Sequence, residues 1–250
     1  LQIFFIIKKR VYKKNLFYLQ NSHFKKRPSV GKWVDDIPKS NSMLSQNVFI
    51  FLNKKETISL ETDWNNKKFP KLWLYNLHYF DDLNSGIQSS YNNELRLKLV
   101  NKWIQNNRRF YGVGWEAYPT SIRIVNWIKW NFKGALFSQI INESLFSQSL
   151  FLFNNVEKHL LGNHILTNAK ALIFAGLFFD GIEADKFYHK GIKIFIQEIE
   201  EQILEDGAHF ELSPMYHSLV LEDLLDIKNI HEKYSKKLSI NLENIIKKML

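Results

Sequence analysis

The chain has 250 residues, no cysteine and a formal net charge of +9, from 34 Lys and Arg against 25 Asp and Glu. That length allows one sizeable core, and the lack of cysteine excludes disulfides and thiolate-ligated metals. The positive balance attracts anionic partners, and an aromatic content of 15% fits either a Phe-rich core or platforms that stack on sugar faces.

Leu1 to Gln20 reads as an amphipathic helix with a basic face that includes Lys8, Lys9, Arg10, Lys13 and Lys14. Its opening apolar run falls far short of the roughly 20 residues a bilayer span needs. The run precedes its basic cluster, the reverse of a secretory signal, and no other stretch reads as a transmembrane segment. The first residue is Leu rather than Met, which fits a start inside a longer gene product. Residues 21–70 are irregular, punctuated by Pro28, Gly31 and Pro38, with a strand pair expected at Val48–Leu52 and Thr57–Leu60 around a turn at Asn53-Lys54-Lys55.

After Pro70 the hydrophobic period becomes helical. Helices are expected at 72–83, 91–109, 120–131, 143–160, 164–179, 184–204, 214–231 and 236–249. Gly162 reads as a C-terminal cap and Asn163 as the N-cap of the next helix. Ser213-Pro214 is a start signal, a capping hydroxyl followed by proline at the first helical position. Helices of this length on short loops pack as antiparallel hairpins. The expected fold is all-α, an incomplete α/α toroid of helical hairpins (71–250) behind a lead-in segment with room for one β-hairpin (1–70).

Four segments carry residues capable of chemistry. Asp206-Gly207-Ala208-His209-Phe210-Glu211-Leu212-Ser213-Pro214-Met215-Tyr216-His217 places Tyr216 and His217 in the first turn of a helix. The roughly half positive charge there favours an ionised phenol and eases proton transfer. Spacing alone, however, favours a tyrosine packed under the preceding loop. Gly162-Asn163-His164 puts amide donors and an imidazole at another helix N-terminus, a cradle for a carboxylate or merely a cap beside a solvent-facing His. In Trp115-Glu116-Ala117-Tyr118-Pro119-Thr120-Ser121-Ile122-Arg123-Ile124-Val125-Asn126-Trp127, Arg123 and Trp127 lie four residues apart on one face. Such a pair binds an acidic sugar by charge and stacking, though core packing accounts for the tryptophans equally. Leu72 to Asp82 mixes aromatics, Tyr79 among them, with Asn76 and His78, as a groove wall or as buried packing. No His-Glu-x-x-His, P-loop or Rossmann fingerprint occurs, so no metal and no cofactor are expected.

In this order the segments resemble the heparinase II/III-like polysaccharide lyases and their alginate-lyase relatives. The resemblance runs from about Phe49 to Asp226 and is strongest in WEAYPTSIRIVNW, GNHILTNAKAL and DGAHFELSPMYH. It implies a catalytic helical toroid followed by a large antiparallel β-sandwich domain, which nothing in this sequence matches. It implies β-elimination from a uronic-acid-containing polysaccharide, with Asn163 and His164 neutralising the carboxylate and Tyr216 transferring protons. The expected substrate-binding residues are Arg123, Trp115, Trp127, His78, Tyr79, His217 and Glu211. An acidic polysaccharide is then the partner, nucleic acid is not, and the family resemblance points to the periplasm or cell envelope. Two other readings stay open: a glycoside hydrolase on an α/α toroid using Glu116, Asp206 or Glu211, and a non-catalytic glycan-binding or assembly protein.

Overall fold

The computed structural model describes residues 25–34, 37–86, 90–157 and 162–250; the helix expected at Leu1 to Gln20 lies outside them. Three short strands come first: β1 (Met43–Ser45), β2 (Val48–Phe51) and β3 (Lys54–Thr57), an antiparallel meander. The register pairs Phe51 with Lys54 and Val48 with Thr57. The turn between them is therefore Leu52-Asn53, both with positive φ, as a tight two-residue hairpin requires. The expected hairpin exists, but its second strand begins at Lys54, three residues earlier than the sequence pattern indicated. Phe49 and Phe51 alternate onto the buried face, where Phe51 meets the edge of Trp73 at 5.1 Å between ring centroids.

Eight α-helices follow among the described residues: α1 (Lys71–Tyr79), α2 (Ser90–Asn106), α3 (Ala117–Phe132), α4 (Gln139–Asn154), α5 (Asn163–Phe178), α6 (Ile182–Gln202), α7 (Pro214–Lys233) and α8 (Leu242–Met249). The all-α expectation holds. Boundaries moved where local chemistry intervened. Helix α1 stops at Tyr79 because Phe80 adopts the left-handed conformation, and a 3-10 turn at Asp81–Asn84 takes the place of the expected continuation. Helix α4 ends at Asn154 rather than 160, and α8 begins at Leu242 rather than 236, with Asn241 accepting the Asn244 N–H as its cap.

Helix α5 is the centre. Every residue from Ile165 to Phe178 is buried, the signature of a helix surrounded on all sides, and it packs against α3, α4, α6 and α7. Each fully buried Leu, Ile or Phe there contributes about 1.5–3 kcal/mol of transfer free energy. The close approach of α6 depends on two glycines. A Cβ on Gly176 would meet the Tyr188 backbone nitrogen at 2.5 Å, and one on Gly191 would meet the Ala169 carbonyl at 2.9 Å. One hydrophobic cluster runs from Phe49 in the sheet to Met249 in α8.

The described lead-in is a strap along this bundle. Arg27 N–H donates to the Phe178 carbonyl (2.9 Å), and the Val30 and Gly31 N–H groups donate to the Lys233 carbonyl. Asn229 on α7 then holds both polar groups of the Val34 backbone, accepting at 3.1 Å and donating at 2.8 Å. The strap reaches Lys39, whose N–H bonds the Asn84 carbonyl and whose ammonium pairs with Glu222 of α7.

Candidate functional site

A cleft opens at the point where α1, α3, α5 and α7 meet. Helix α3 supplies Tyr118, Ile122, Val125, Asn126 and Lys129; α5 supplies Asn163, Thr167 and Lys170. The remaining wall comes from Asn76 and Tyr79 of α1, Asp81 after it, Lys39 of the strap, and Glu222 and Asp223 of α7. The α3 residues follow the i, i+4, i+7, i+11 stripe that places them on one face.

The floor is a buried charge network. Lys129 and Lys170 share the Asp226 carboxylate, Lys129 at 2.6 Å, and Lys170 also reaches Asp223 at 2.7 Å. Burial opposes the Asp226 charge, but Lys170 and Lys129 outweigh it and hold its pKa below the usual carboxylate value. Burial likewise works against the Lys170 ammonium, and Asp223, Asp226 and Glu222 together reverse the effect and raise its pKa. Asp81, raised by burial, accepts a hydrogen bond from Asn126 at 2.7 Å. The charged groups lining the cleft balance, three lysines against three carboxylates, although the chain as a whole carries +9.

An aromatic series runs along one side. Tyr79 lies edge-on to Tyr118 at 6.0 Å, and Tyr118 stacks on the His164 imidazole at 4.1 Å with 25° between planes. Burial, with Asp223 adding to it, pushes the Tyr118 phenol up to about 12. Tyr118 is thus a neutral hydroxyl across the physiological range. Its sequence signal is the 115–127 segment, which also holds Arg123 and Trp127.

Asn163 lines the cleft, but not as an N-cap. Gly162 occupies the cap position with φ +77, and Asn163 is the first helical residue, so its amide is not committed to the α5 backbone. Ser213 occupies the N-cap of α7 without a side-chain capping bond. The two helix N-termini are linked. Gln202 Nε2 donates to the Gly162 carbonyl (3.0 Å), its Oε1 meets His209 Nε2 (3.2 Å), and the His209 ring lies 6.4 Å from that of Tyr216. Tyr216 is half-buried and close enough to Tyr118 to bear on its ionisation. Glu211 Oε1 sits beside Gly162, 2.9 Å from where a Cβ would be.

Four of the residues expected to bind substrate are in the core instead. Arg123 is fully buried, and its guanidinium donates to Gln148 Oε1 (2.7 Å), the Gly114 carbonyl (2.8 Å) and the His78 carbonyl (3.3 Å). It also lies 3.9 Å over the Trp103 ring, which leaves it no free donor face for a sugar. Trp127 and Trp115 pack in the same aromatic cluster around Trp103. His78 is buried, with Nδ1 accepting from the Trp103 indole (2.9 Å) and Nε2 facing the Trp64 carbonyl (2.8 Å). An indole N–H can only donate, so His78 carries its proton on Nε2, and burial holds its pKa down at about 3. His217 turns away toward α8, bonding the Met249 carbonyl at 2.8 Å. Only Tyr79 of that set lines the cleft itself. The three carboxylates of the hydrolase reading do not: Glu116 is held by Tyr75 and Lys71, Asp206 caps its own turn by accepting from Ala208, and Glu211 lies over Gly162.

The profile of the family described as Heparinase II/III N-terminus matches residues 61–250. Among curated proteins, a heparin-sulfate lyase of Bacteroides stercoris is 39% identical over 74 residues, 29% of this chain and 11% of that protein. A heparin-sulfate lyase of Pedobacter heparinus is 34% identical over 83 residues, 33% of this chain and 12% of that protein. Among solved structures, a heparinase III gene product superposes with a TM-score of 0.60 at 18% identity, covering 95% of this chain and 44% of the other. The heparan sulfate lyase HepC of Pedobacter heparinus gives 0.52 at 17% identity, with 78% and 34% covered. The structural likeness speaks to the fold, and the chain spans less than half the length of either solved relative.

Proposed function

The chain belongs to the heparinase II/III N-terminus family, and from that premise we propose that its cleft binds a uronic-acid-containing polysaccharide and cleaves it by β-elimination. The observation that carries this reading is the linkage of the α5 and α7 N-termini through Gly162, Gln202 and His209, which draws Asn163, His164 and Tyr216 to one end of the bundle. The proton at C5 of a uronate is weakly acidic until its carboxylate is neutralised. Asn163, with an amide free of capping duty at a helix N-terminus, donates to that carboxylate, and His164 stands beside it. Donors aimed at developing charge lower the barrier to the enolate-like intermediate.

Tyr216 then handles the proton. In its ionised form Tyr216, in the first turn of α7, takes the C5 proton. The C5–H electron pair becomes the C4=C5 double bond, the C4–O bond breaks, and Tyr216 returns the proton to the departing oxygen. Tyr79 and Tyr118 form the aromatic wall on which a sugar ring rests. The sequences of heparin-sulfate lyases are related to part of this chain, which supports an acidic glycan as substrate.

The test is Tyr216→Phe in the full-length protein that carries this chain. Formation of the unsaturated uronate is followed by ultraviolet absorbance, and glycan affinity by calorimetry. The expected result is loss of elimination with affinity nearly unchanged, since the ring remains and only the proton carrier goes. Normal turnover, or a product with a plain reducing end and no unsaturation, refutes the assignment.

A further inference from the structure

His164 is held from two directions, by Tyr118 of the cleft wall and by Glu157, which lies outside the cleft lining. The Tyr118 ring stacks on the imidazole at 4.1 Å and fixes its plane. Glu157, in the connection after α4, approaches Nδ1 with Oε2 at 3.3 Å and fixes the rotation of the ring within that plane. Glu157 is itself anchored. Its backbone N–H donates to Asn168 Oδ1 (2.9 Å), and the Asn168 amide donates to Ser121 Oγ (3.0 Å). Ser121 in turn donates to the Ala117 carbonyl (2.9 Å), the residue next to Tyr118. Asn168 and Ser121 are fully buried. A closed circuit of α3, α5 and the α4–α5 connection therefore presents a carboxylate to one nitrogen of the imidazole. Nε2 makes no hydrogen bond to a described residue, and the Glu157 side chain is mostly shielded from solvent.

We propose that Glu157 is a positioning residue: its carboxylate holds the Nδ1–H of His164, so that Nε2 is the nitrogen turned toward the bound sugar. A carboxylate accepts only, so the neutral ring it faces carries its proton on Nδ1, and the hydrogen bond at one nitrogen settles the tautomer at the other. When the ring is protonated, the second proton lies on Nε2, aimed outward as a charged donor to the uronate. Without Glu157 the ring is free to flip by 180° and lose that aim. Other titratable groups near the ring are Tyr118 from α3, Tyr216 beside Tyr118, and Glu211 across Gly162. The Nδ1 partner is Glu157 rather than any of these three. This inference rests on the lyase reading only for its catalytic consequence; the pairing stands on geometry.

The decisive measurement is independent of turnover. Ring nitrogen chemical shifts of His164, recorded by NMR on the full chain at a pH where the ring is neutral, report which nitrogen bears the proton. The wild type is expected to show the Nδ1–H tautomer, and Glu157→Gln a mixture or the Nε2–H form. An Nε2–H tautomer in the wild type overturns the proposal, and so does a tautomer unchanged in Glu157→Gln. If Glu157→Gln fails to fold, the wild-type spectrum alone decides. In the elimination assay Glu157→Gln is expected to lower kcat by about tenfold or more, because a donor to developing charge loses much of its effect when it is out of position. KM should stay within about twofold, and Glu157→Asp should recover part of the rate. A wild type with the expected tautomer but no elimination on any uronate glycan refutes the lyase reading and leaves the pairing. An active wild type matched by equally active Glu157→Gln refutes the positioning role and leaves the lyase reading.

Discussion

Replacing Arg123 with Met separates a core role from a substrate-binding role. Methionine keeps most of the stem volume but removes every donor. The Gly114 carbonyl retains a donor in Thr120 Oγ1 at 3.2 Å, whereas Gln148 Oε1 and the His78 carbonyl lose the guanidinium that served them. Each buried acceptor left unpaired costs about 1–3 kcal/mol, and the desolvated contact over Trp103 adds about 1–2 kcal/mol. Relief of the buried charge offsets part of this; burial already holds the Arg123 pKa well below that of a free guanidinium. The net loss is about 3–5 kcal/mol, the sum of the two unpaired acceptors and the lost ring contact less that relief. Against a total stability of about 5–15 kcal/mol, that is a large share. Urea unfolding followed by tryptophan fluorescence reads it directly, since Trp103, Trp115 and Trp127 surround the site. An unchanged unfolding midpoint together with weakened glycan affinity would refute the reasoning and return the guanidinium to the cleft.

Asn163→Ala should lower the rate of elimination by about 100- to 1,000-fold, the usual effect of removing one donor to developing oxyanion charge, with unfolding stability unchanged because Asn163 is not the cap of α5. Two buried histidines should cost the fold stability from about pH 6.5 downward. His78 and His231 are depressed by burial to about 3 and about 4, so the unfolded chain binds protons that the folded one refuses, at about 1.4 kcal/mol per pH unit for each. Asp82, raised by burial to about 6, acts with the opposite sign, as do Asp81, Glu198 and Asp223, which burial also raises. The histidine part is therefore read group by group: imidazole shifts followed by NMR should show both rings still neutral at pH 5 in the folded protein, and a ring already protonated there would refute the assignment. Asn229→Ala should free the strap at Val34 by removing two hydrogen bonds, each worth about 0.5–1.5 kcal/mol. Limited proteolysis should then cut the lead-in faster while the helical body resists.

Helix α3 carries two faces whose residues could bind a sugar. At roughly 100° per residue, Tyr118, Ile122, Val125 and Lys129 form one stripe, and Arg123, Trp127 and Trp130 lie on the opposite side. The sequence shows both stripes, and an arginine beside tryptophans has the chemistry of sugar binding. It also has the chemistry of a buried cation that feeds backbone carbonyls, and periodicity does not tell the two apart. The decision came from α1 and from the 3-10 turn Val113–Trp115 ahead of α3, which deliver the His78 and Gly114 carbonyls to the Arg123 side. Lys129 and Lys170 were hidden for a related reason. A lysine on an apolar helix face reads as solvated until the partner carboxylate, here Asp226 on α7, is brought beside it from far along the chain.

Helix content, the break at Gly162, the start at Ser213-Pro214 and the chemical character of Asn163, His164 and Tyr216 were legible because they depend on neighbours within a turn or two of the chain. The same locality made the hairpin predictable, although only the pairing of Phe51 with Lys54 fixed its register. The tertiary structure alone decided that Asn163 leads its helix rather than capping it, that Tyr118 faces the cleft while Arg123 does not, and that Glu157 meets His164. Each of these depends on groups from separate elements arriving within about 3–4 Å of one another, and hydrogen bonds and buried charges change in value by several kcal/mol with that arrival.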